Sequence, residues 1–196
     1  MGDAPRALVL GSSSPRRREL LAAAGFAFEI AEPDVDERAL PGESATAQAR
    51  RLALEKARAV TARFPGGACV LAADTLVVVD QDVLGKPRDA EEAVEMLLRI
   101  QGRTHLVLTG FALVVRELGL EDFGVIESEV RMHRVDRETA RAYAASGEPL
   151  DKAGAYAAQG EGGRFVAEIR GSRTNVIGLP MEAIVPRLAR AGVLPT

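Results

Sequence analysis

Hydrophobic and polar positions along the chain follow two periods, which together predict strands alternating with helices. Residues 7–10 and the nearly continuous apolar run of residues 69–80 predict buried strands, and the second run is typical of a central strand. Helical spacing over residues 15–24 and a longer helical pattern over residues 44–63 predict two helices. Residues 33–43 are polar and irregular, which indicates a loop before the second helix.

The remaining elements continue this alternation. Further strands are predicted over residues 26–31, 104–115, 125–135 and 164–169, and further helices over residues 89–102, over residues 136–147 and from Pro180 onward. The two long strands of this set flank a glycine-containing connection, which predicts a hairpin. Glycine-bounded loops are expected over residues 148–163 and 171–180. The pattern predicts one mixed-sheet α/β domain spanning residues 1–196.

Composition narrows the classes of protein to consider. The chain has 196 residues, and 47% of them are hydrophobic, which is enough for a sizeable core. A net charge of −3, without basic runs interleaved by aromatic residues, argues against nucleic-acid binding. The single cysteine, Cys69, excludes an internal disulfide and a cysteine-based zinc site. No run approaches the ~20 apolar residues of a membrane span, and no targeting segment is evident, so we expect a cytoplasmic protein that does not bind membranes.

Three consecutive arginines stand where a helix is predicted to begin, with Ser14 as its cap and Pro15 as its first residue. Cations are unfavourable there because the helix N-terminus is the positive end of the dipole. A bound phosphate would explain Arg16, Arg17 and Arg18, since free backbone N–H groups and guanidinium forks both suit phosphate oxygens. Alternatively, the arginines lie in solvent, at a cost of roughly a few tenths of a kcal/mol.

Other charges interrupt apolar patterns. Lys56 falls within the apolar stripe of the helix predicted over residues 44–63, so its ammonium group either reaches water or meets an anion. Asp74 interrupts the apolar run of residues 69–80, and a buried carboxylate must find a cation or take up a proton. A metal ion or a lysine would serve; a carboxylate that caps a turn at the strand end is the alternative. Lys86, in LGKP, either folds back toward Asp74 or lies in solvent.

Two loops carry candidate ligand-binding groups. Asp34, Asp36 and Glu37 in PDVDER offer the oxygen ligands that hard divalent cations prefer, although acidic loops are also common without a ligand. In GEPLDKAGAYAAQG, glycines permit close approach of the backbone to a ligand, and the Gln159 amide offers a paired donor and acceptor to a base edge. An ordinary flexible connection is the alternative. Together these groups predict one site, with cations for a polyphosphate, carboxylates for a metal and an amide for a base.

Six motifs, in order between residues 8 and 188, resemble the Maf family of nucleoside triphosphate pyrophosphatases: SSSPRRRELL, AADTLVVVD, LGKP, GRTHLVLTG, EPLDKAGAYAAQG and NVIGLP. The resemblance implies an elongated mixed β-sheet flanked by helices, in two lobes with a central cleft, as in inosine-triphosphate pyrophosphatases. It implies a cytoplasmic house-cleaning enzyme that needs Mg²⁺ or Mn²⁺ and is often a homodimer. ADT followed by AAQG resembles the branch of the family that acts on dTTP and UTP.

The resemblance also implies a role for each matching residue. The phosphate-binding residues would be Ser12, Arg16 and Arg17. The catalytic residues would be Glu37, Lys56, Asp74 and Lys86, with Asp74 as the proton acceptor. The metal ligands would be Glu37 and Asp74. The residues linked to base preference would be Arg16, Thr75 and Gln159.

The implied reaction is hydrolysis of a nucleoside triphosphate between its α- and β-phosphates. Two other functions stay open: a nucleotide-binding regulator of cell division without turnover, which the resemblance suggests, and a phosphatase that releases the γ-phosphate. Gly11 stands where the family usually has alanine, and Ala157 and Ala158 replace a more usual Gly-Ile. These departures leave the chemistry intact and affect fine specificity.

Overall fold

The structure is a computed structural model that describes residues 6–64 and 67–196. Within these residues the strands are β1 (Leu8–Gly11), β2 (Glu29–Ile30), β3 (Cys69–Val79), β4 (Asp82–Leu84), β5 (Thr104–Val115), β6 (Leu120–Met132) and β7 (Val166–Arg170). The α-helices are α1 (Pro15–Ala23), α2 (Ala45–Thr61), α3 (Ala90–Ile100), α4 (Arg137–Ala145), α5 (Arg173–Ile177) and α6 (Met181–Arg190). Short 3₁₀ turns span Arg116–Leu118, Glu148–Asp151, Ala153–Ala155 and Gly160–Phe165. No helix in the described ranges is long and apolar enough to cross a bilayer.

The strands form one mixed sheet in the order β2-β1-β3-β5-β6-β7, with β4 paired to β3. β1 is parallel to both β2 and β3, whereas β4 is antiparallel to β3 and β7 is antiparallel to β6. The predicted mixed-sheet α/β fold is therefore confirmed. Gly11, at the carboxyl end of β1, pairs with Ala72, so β3 continues past the end of its parallel neighbour.

Local chemistry fixes the predicted helix starts. Side-chain oxygens of Ser44, Asp89 and Asp136 accept hydrogen bonds from backbone N–H groups three residues further on, at 3.2, 2.8 and 2.8 Å. The predicted cap and first residue of α1, Ser14 and Pro15, occupy those positions, although the Ser14 hydroxyl makes no capping bond within the described part of the chain. The Pro65 and Gly66 predicted to end α2 lie outside the described residues.

Several predicted boundaries were wrong, and tertiary contacts explain the differences. β2 has two residues rather than six, and Phe26, predicted to begin it, packs in the core outside the strand. β6 begins at Leu120 rather than 125, directly after a left-handed glycine at 119 closes the hairpin. The loop expected over residues 171–180 contains α5, whose Asn175 amide donates to the Val107 carbonyl at 3.0 Å. β4 was not predicted.

The chain divides into two compact units. The first comprises Met1–Asp74, Thr109–Ile126 and Gly178–Thr196, and the second comprises Thr75–Leu108 and Glu127–Ile177. β3, β5 and β6 each contribute residues to both units. In the second unit, α3 and α4 pack with strand residues around a single apolar cluster that includes the buried Tyr143.

In the first unit the sheet has an apolar cluster on each face. Residues of α1 and α6 pack with Leu8 and Leu10 of β1 on one face, whereas residues of α2 pack with Val9 on the other. β3 alternates in the same way, since Ala72 packs on the α2 face and Ala73 on the opposite face. This alternation directs the side chain of the residue after Ala73 toward α2.

Candidate active site

The two charges that interrupt apolar patterns meet each other. Lys56 and Asp74 are only 6% and 7% exposed, and the Lys56 Nζ donates to Asp74 Oδ1 at 2.6 Å. The same Nζ lies 2.6 Å from Glu37 Oε1. One ammonium group therefore gathers two carboxylates, and each buried charge has the partner that burial requires.

The alternation of side chains along β3 and the helical spacing along α2 place these two charges on facing sides of the strand and the helix. Asp74 follows the α2-facing residues of β3 at spacing two, so its carboxylate points toward α2. On α2, Lys56 lies three residues after Ala53 and four before Val60, on the same buried stripe. From this buried stripe the Lys56 side chain carries its ammonium group to Asp74, in the middle of β3.

Glu37 comes from the loop between β2 and α2, and its side chain is half exposed. Arg51 of α2 anchors this loop, since it donates to Glu43 Oε1 at 2.7 Å and to the Arg38 carbonyl at 3.1 Å. The acidic PDVDER loop was a candidate metal-binding loop, but its Asp36 pairs with Arg38 at the surface instead. Across residues 6–64 and 67–196, no three His, Cys, Asp or Glu side chains gather as metal ligands would.

The arginines at the start of α1 belong to the same unit as this group. Arg17 donates from Nη1 to Ser12 Oγ at 3.2 Å and from Nε to the Gly178 carbonyl at 2.7 Å. Burial lowers the pKa of the Arg17 guanidinium. The negative charge of Asp74 opposes this shift, the positive charge of the neighbouring Arg16 adds to the shift, and the negative charge of Glu37 opposes it. Arginine remains protonated regardless, so Arg17 keeps a positive charge that interacts electrostatically with Asp74 and Glu37.

Ser12 is buried at the carboxyl end of β1 and orders the turn into α1. Its hydroxyl oxygen accepts from the Ser14 backbone N–H at 3.2 Å as well as from Arg17. Sequence reasoning missed the carbonyl of Gly178, because a backbone group leaves no side-chain signal. Gly178 adopts a φ of 122°, a conformation that favours glycine, and this aims its carbonyl at the guanidinium.

The donor set fits a hard divalent cation. Glu37 and Asp74 each place one oxygen 2.6 Å from the same point, where a cationic nitrogen already lies. Mg²⁺ and Mn²⁺ prefer oxygen ligands, and Mg²⁺ is usually held by only one or two carboxylates together with substrate phosphates and waters. Two converging carboxylates are therefore a sufficient protein contribution to such a site.

Of the nine predicted site residues, six belong to the first unit and three, Thr75, Lys86 and Gln159, belong to the second. Thr75 follows Asp74 directly in β3 and is half-buried, whereas Lys86 and Gln159 are exposed. The structure brings together Ser12 with Arg17, and Lys56 with Glu37 and Asp74. The roles assigned to all nine residues remain predictions.

The second unit contains a buried histidine that sequence reasoning did not single out. His105 Nε2 lies 2.8 Å from the Tyr156 hydroxyl, and the two rings meet edge to face. His105 is 2% exposed, and its Nδ1 has no hydrogen-bond partner in the described ranges. Burial lowers the pKa of His105 to about 4, which keeps the imidazole neutral at pH 7.

Fold and sequence together define the class of protein. The chain belongs to the Maf family. The model of this family, described as Maf-like protein, matches residues 7–191. It is 52% identical to a dTTP/UTP pyrophosphatase of Myxococcus xanthus (strain DK1622), over 95% of this chain and 93% of that protein. It is 53% identical to a dTTP/UTP pyrophosphatase of Anaeromyxobacter dehalogenans (strain 2CP-1), over 96% and 95% of the two chains. A dTTP/UTP pyrophosphatase of Symbiobacterium thermophilum is 50% identical, over 94% of each chain.

A solved structure also resembles the chain at low similarity. It is a nucleoside-triphosphatase / dITP/XTP pyrophosphatase from Mycobacterium abscessus, with a TM-score of 0.44 and 16% identity over 94% of this chain and 97% of that chain. This similarity is too low to carry a conclusion.

Proposed function

We propose that this chain hydrolyses dTTP and UTP between the α- and β-phosphates, releasing the nucleoside monophosphate and pyrophosphate. The names of the relatives, which match it over nearly their whole length, support the substrates. The observation that carries the chemistry is the convergence of Asp74 and Glu37 on Lys56, in the unit that also holds Arg17. Carboxylates for a proton and a metal, beside cations for phosphates, are the groups that phosphoryl transfer requires.

In the proposed reaction, water attacks the α-phosphorus. A new P–O bond forms to the water oxygen, the bond from the α-phosphorus to the bridging oxygen breaks, and pyrophosphate leaves. Asp74 accepts the proton that the water loses. Its buried position beside Lys56 keeps the carboxylate oriented before the substrate arrives.

The cations of the first unit stabilise the charge that develops on the phosphates. Arg16 and Arg17 present forked donors to phosphate oxygens, and Ser12 holds Arg17 in place. Lys56 acts from a site with little water, where its charge attracts phosphate more strongly. From the second unit, we assign Lys86 to the phosphates, and Thr75 and Gln159 to the base, on the family resemblance alone.

Glu37 and Asp74 would hold Mg²⁺ or Mn²⁺. When bound, that ion would neutralise phosphate charge and make a coordinated water more acidic. The expected homodimer and the expected cytoplasmic location remain predictions.

The identity of the phosphorus product tests the proposal. Purified protein is incubated with a panel of nucleoside triphosphates and Mg²⁺ or Mn²⁺, and ³¹P NMR identifies the products. We expect pyrophosphate and monophosphate in equal amounts, with dTTP and UTP as the best substrates. Orthophosphate with a nucleoside diphosphate would instead identify a γ-phosphatase, and tight binding without any product would identify a nucleotide-binding regulator.

A further inference from the structure

Gln159 lies at an exposed position between two fixed points of the backbone. It joins the 3₁₀ turn at Ala153–Ala155 to the turn at Gly160–Phe165. Alanines 157 and 158 before it are buried, and Gly162 after it is buried as well. Position 159 is therefore accessible to a ligand, although the backbone of the segment is buried two residues before it and three residues after it.

The side after Gln159 is attached to Glu148. The Glu148 carboxylate accepts from the Gly162 N–H at 2.9 Å through Oε2 and from the Glu161 N–H at 3.2 Å through Oε1. The approach is so close that a Cβ on Gly160, at φ 72°, would collide with Glu148 Oε1. Glycine at position 160 is therefore a requirement of this contact.

The side before Gln159 is attached to Tyr143, which is completely buried on α4. The Ala157 N–H donates to the Tyr143 hydroxyl at 3.3 Å. The two side chains also influence each other, since their interaction raises the pKa of the Tyr143 hydroxyl and lowers that of the Glu148 carboxylate. One tyrosine and one glutamate thus fix both sides of Gln159; we name this arrangement the Tyr143–Glu148 clamp.

Both members of the clamp have shifted pKa values. Burial raises the pKa of Glu148, but hydrogen bonds from Tyr143, Gly162 and Glu161 and the charge of Lys152 outweigh burial and leave the pKa below its ordinary value. Burial, followed by the bond to Glu148, raises the pKa of Tyr143. At neutral pH the glutamate is an ionised acceptor and the tyrosine a donor.

We propose that Tyr143 and Glu148 are positioning residues for base selection, because they hold the backbone on both sides of Gln159, whose side-chain amide the proposed function assigns to the nucleobase. The inference rests on the proposed function. An amide distinguishes bases by matching donors to acceptors, which requires that it stay in place. Loosening the clamp therefore reduces discrimination between bases more than it reduces turnover of the best substrate.

The test compares UTP with CTP, which differ only in the donors and acceptors at ring positions 3 and 4. We measure kcat/KM for both substrates in wild type, Tyr143→Phe, Glu148→Gln, Gln159→Ala and Tyr143→Phe/Gln159→Ala. Tyr143→Phe and Glu148→Gln should each lower the UTP-to-CTP ratio by about tenfold, the effect of one hydrogen bond, while kcat on UTP changes by less than about threefold. Glu161→Gln is the matched control, since it removes an equal charge two residues from Gln159 and keeps the backbone N–H.

The double variant separates positioning from a general effect on folding. If the clamp acts through Gln159, Tyr143→Phe should reduce the ratio no further once Gln159 is alanine. An unchanged UTP-to-CTP ratio in Tyr143→Phe and Glu148→Gln would overturn the inference. So would reductions of this ratio that add together in the double variant.

A readout without turnover keeps the inference testable if a variant folds poorly or the proposed function fails. Hydrogen exchange of wild-type protein should show slow exchange at the Ala157 and Gly162 amides, and Tyr143→Phe should speed exchange at Ala157 by at least about tenfold. Fast exchange at both amides in wild type would overturn the clamp whatever reaction the protein catalyses. Absence of pyrophosphate release would instead overturn the proposed function, and base selection would then be measured by binding of non-hydrolysable UTP and CTP analogues.

Discussion

At the scale of single residues, the proposed chemistry depends on Asp74, a buried carboxylate held 2.6 Å from an ammonium group. The sequence alone indicated that this residue must find a cation, because it interrupts an apolar strand. It left a lysine, a metal ion and a capped turn as alternatives, and the lysine that it named as able to fold back was Lys86, which is exposed, whereas the partner is Lys56. The partner became evident only when strand alternation and helix spacing were combined in three dimensions.

Asp74→Asn tests the proton acceptor, since the amide keeps the shape of the carboxylate but cannot take up the proton. We expect roughly a 10²- to 10⁴-fold loss of turnover with the fold retained. The measurement is kcat for pyrophosphate release, alongside circular dichroism. Asp36→Asn is the matched control, because Asp36 pairs with Arg38 at the surface, and it should retain activity. Near-normal turnover in Asp74→Asn would remove this residue from the mechanism.

Lys56→Met tests the charge cluster through stability. Methionine keeps most of the buried stem but leaves Asp74 and Glu37 without their common cation, so the free energy of unfolding should fall by about 3–5 kcal/mol. Urea denaturation gives the value. Adding Asp74→Asn should recover part of the loss, because the unpaired charge is then removed. Unchanged stability in the single variant would show that the pair contributes nothing to folding.

At the scale of elements, α2 lies unusually close to β5. A Cβ on Gly110 would overlap the carbonyl of Ala49, so only glycine allows this approach. The contact sets the distance between the sheet and the helix that carries Lys56. The glycine was visible in GRTHLVLTG, but the sequence gave no indication of which backbone it faces.

Gly110→Ala should therefore destabilise the protein by at least about 1–3 kcal/mol, since overpacking against a backbone cannot be relieved by a rotamer change. The comparison is Gly85→Ala, because a Cβ at that position meets nothing within 4 Å. Thermal unfolding of both variants gives the measurement. Equal melting temperatures for the two variants would contradict the close approach.

The contact between β5 and the segment before Gln159 predicts a pH dependence of stability. The pKa of His105 is about 4 in the folded protein, against an ordinary value of 6.5. Between pH 4 and pH 6.5, His105 therefore binds a proton in the unfolded chain but not in the folded protein. This contribution to stability is complete above pH 6.5 and is lost as the pH falls to 4, by up to about 3 kcal/mol.

Urea denaturation at several pH values, in wild type and His105→Gln, isolates this contribution. Stability of His105→Gln is expected to fall less steeply between pH 6.5 and pH 4 than that of wild type. His133→Gln, at an exposed histidine, is the control and should follow wild type. Parallel curves for wild type and His105→Gln would show that burial of His105 does not govern acid stability.

At the scale of the whole molecule, the sequence predicted the alternation of elements and the mixed sheet, because periodicity and caps such as Ser44 and Asp136 act locally. It did not predict α5, whose Asn175 bonds to a distant strand, nor the bonds from Tyr143 and Glu148 to the segment around Gln159. Such features depend on contacts far apart in the chain, for which no local pattern exists. The candidate site residues were found by their unusual charges and by family resemblance together.

Ligand binding should stabilise the whole chain. Mn²⁺ with a non-hydrolysable dTTP analogue, at about 100 times its dissociation constant, should add about 2.7 kcal/mol to the free energy of unfolding. In Glu37→Gln the contribution of Mn²⁺ should fall, because one of the two converging oxygens is neutralised. Differential scanning calorimetry with and without a chelator provides the measurement. An equal effect of Mn²⁺ on wild type and variant would place the metal elsewhere.

The most direct measurement of the central claim follows the oxygen of the attacking water. Hydrolysis of dTTP in ¹⁸O-labelled water, followed by mass spectrometry of the products, reports which phosphorus is attacked. Attack at the α-phosphorus predicts one ¹⁸O atom in the nucleoside monophosphate and none in pyrophosphate. Label in pyrophosphate or in orthophosphate, with an unlabelled nucleotide product, would contradict it.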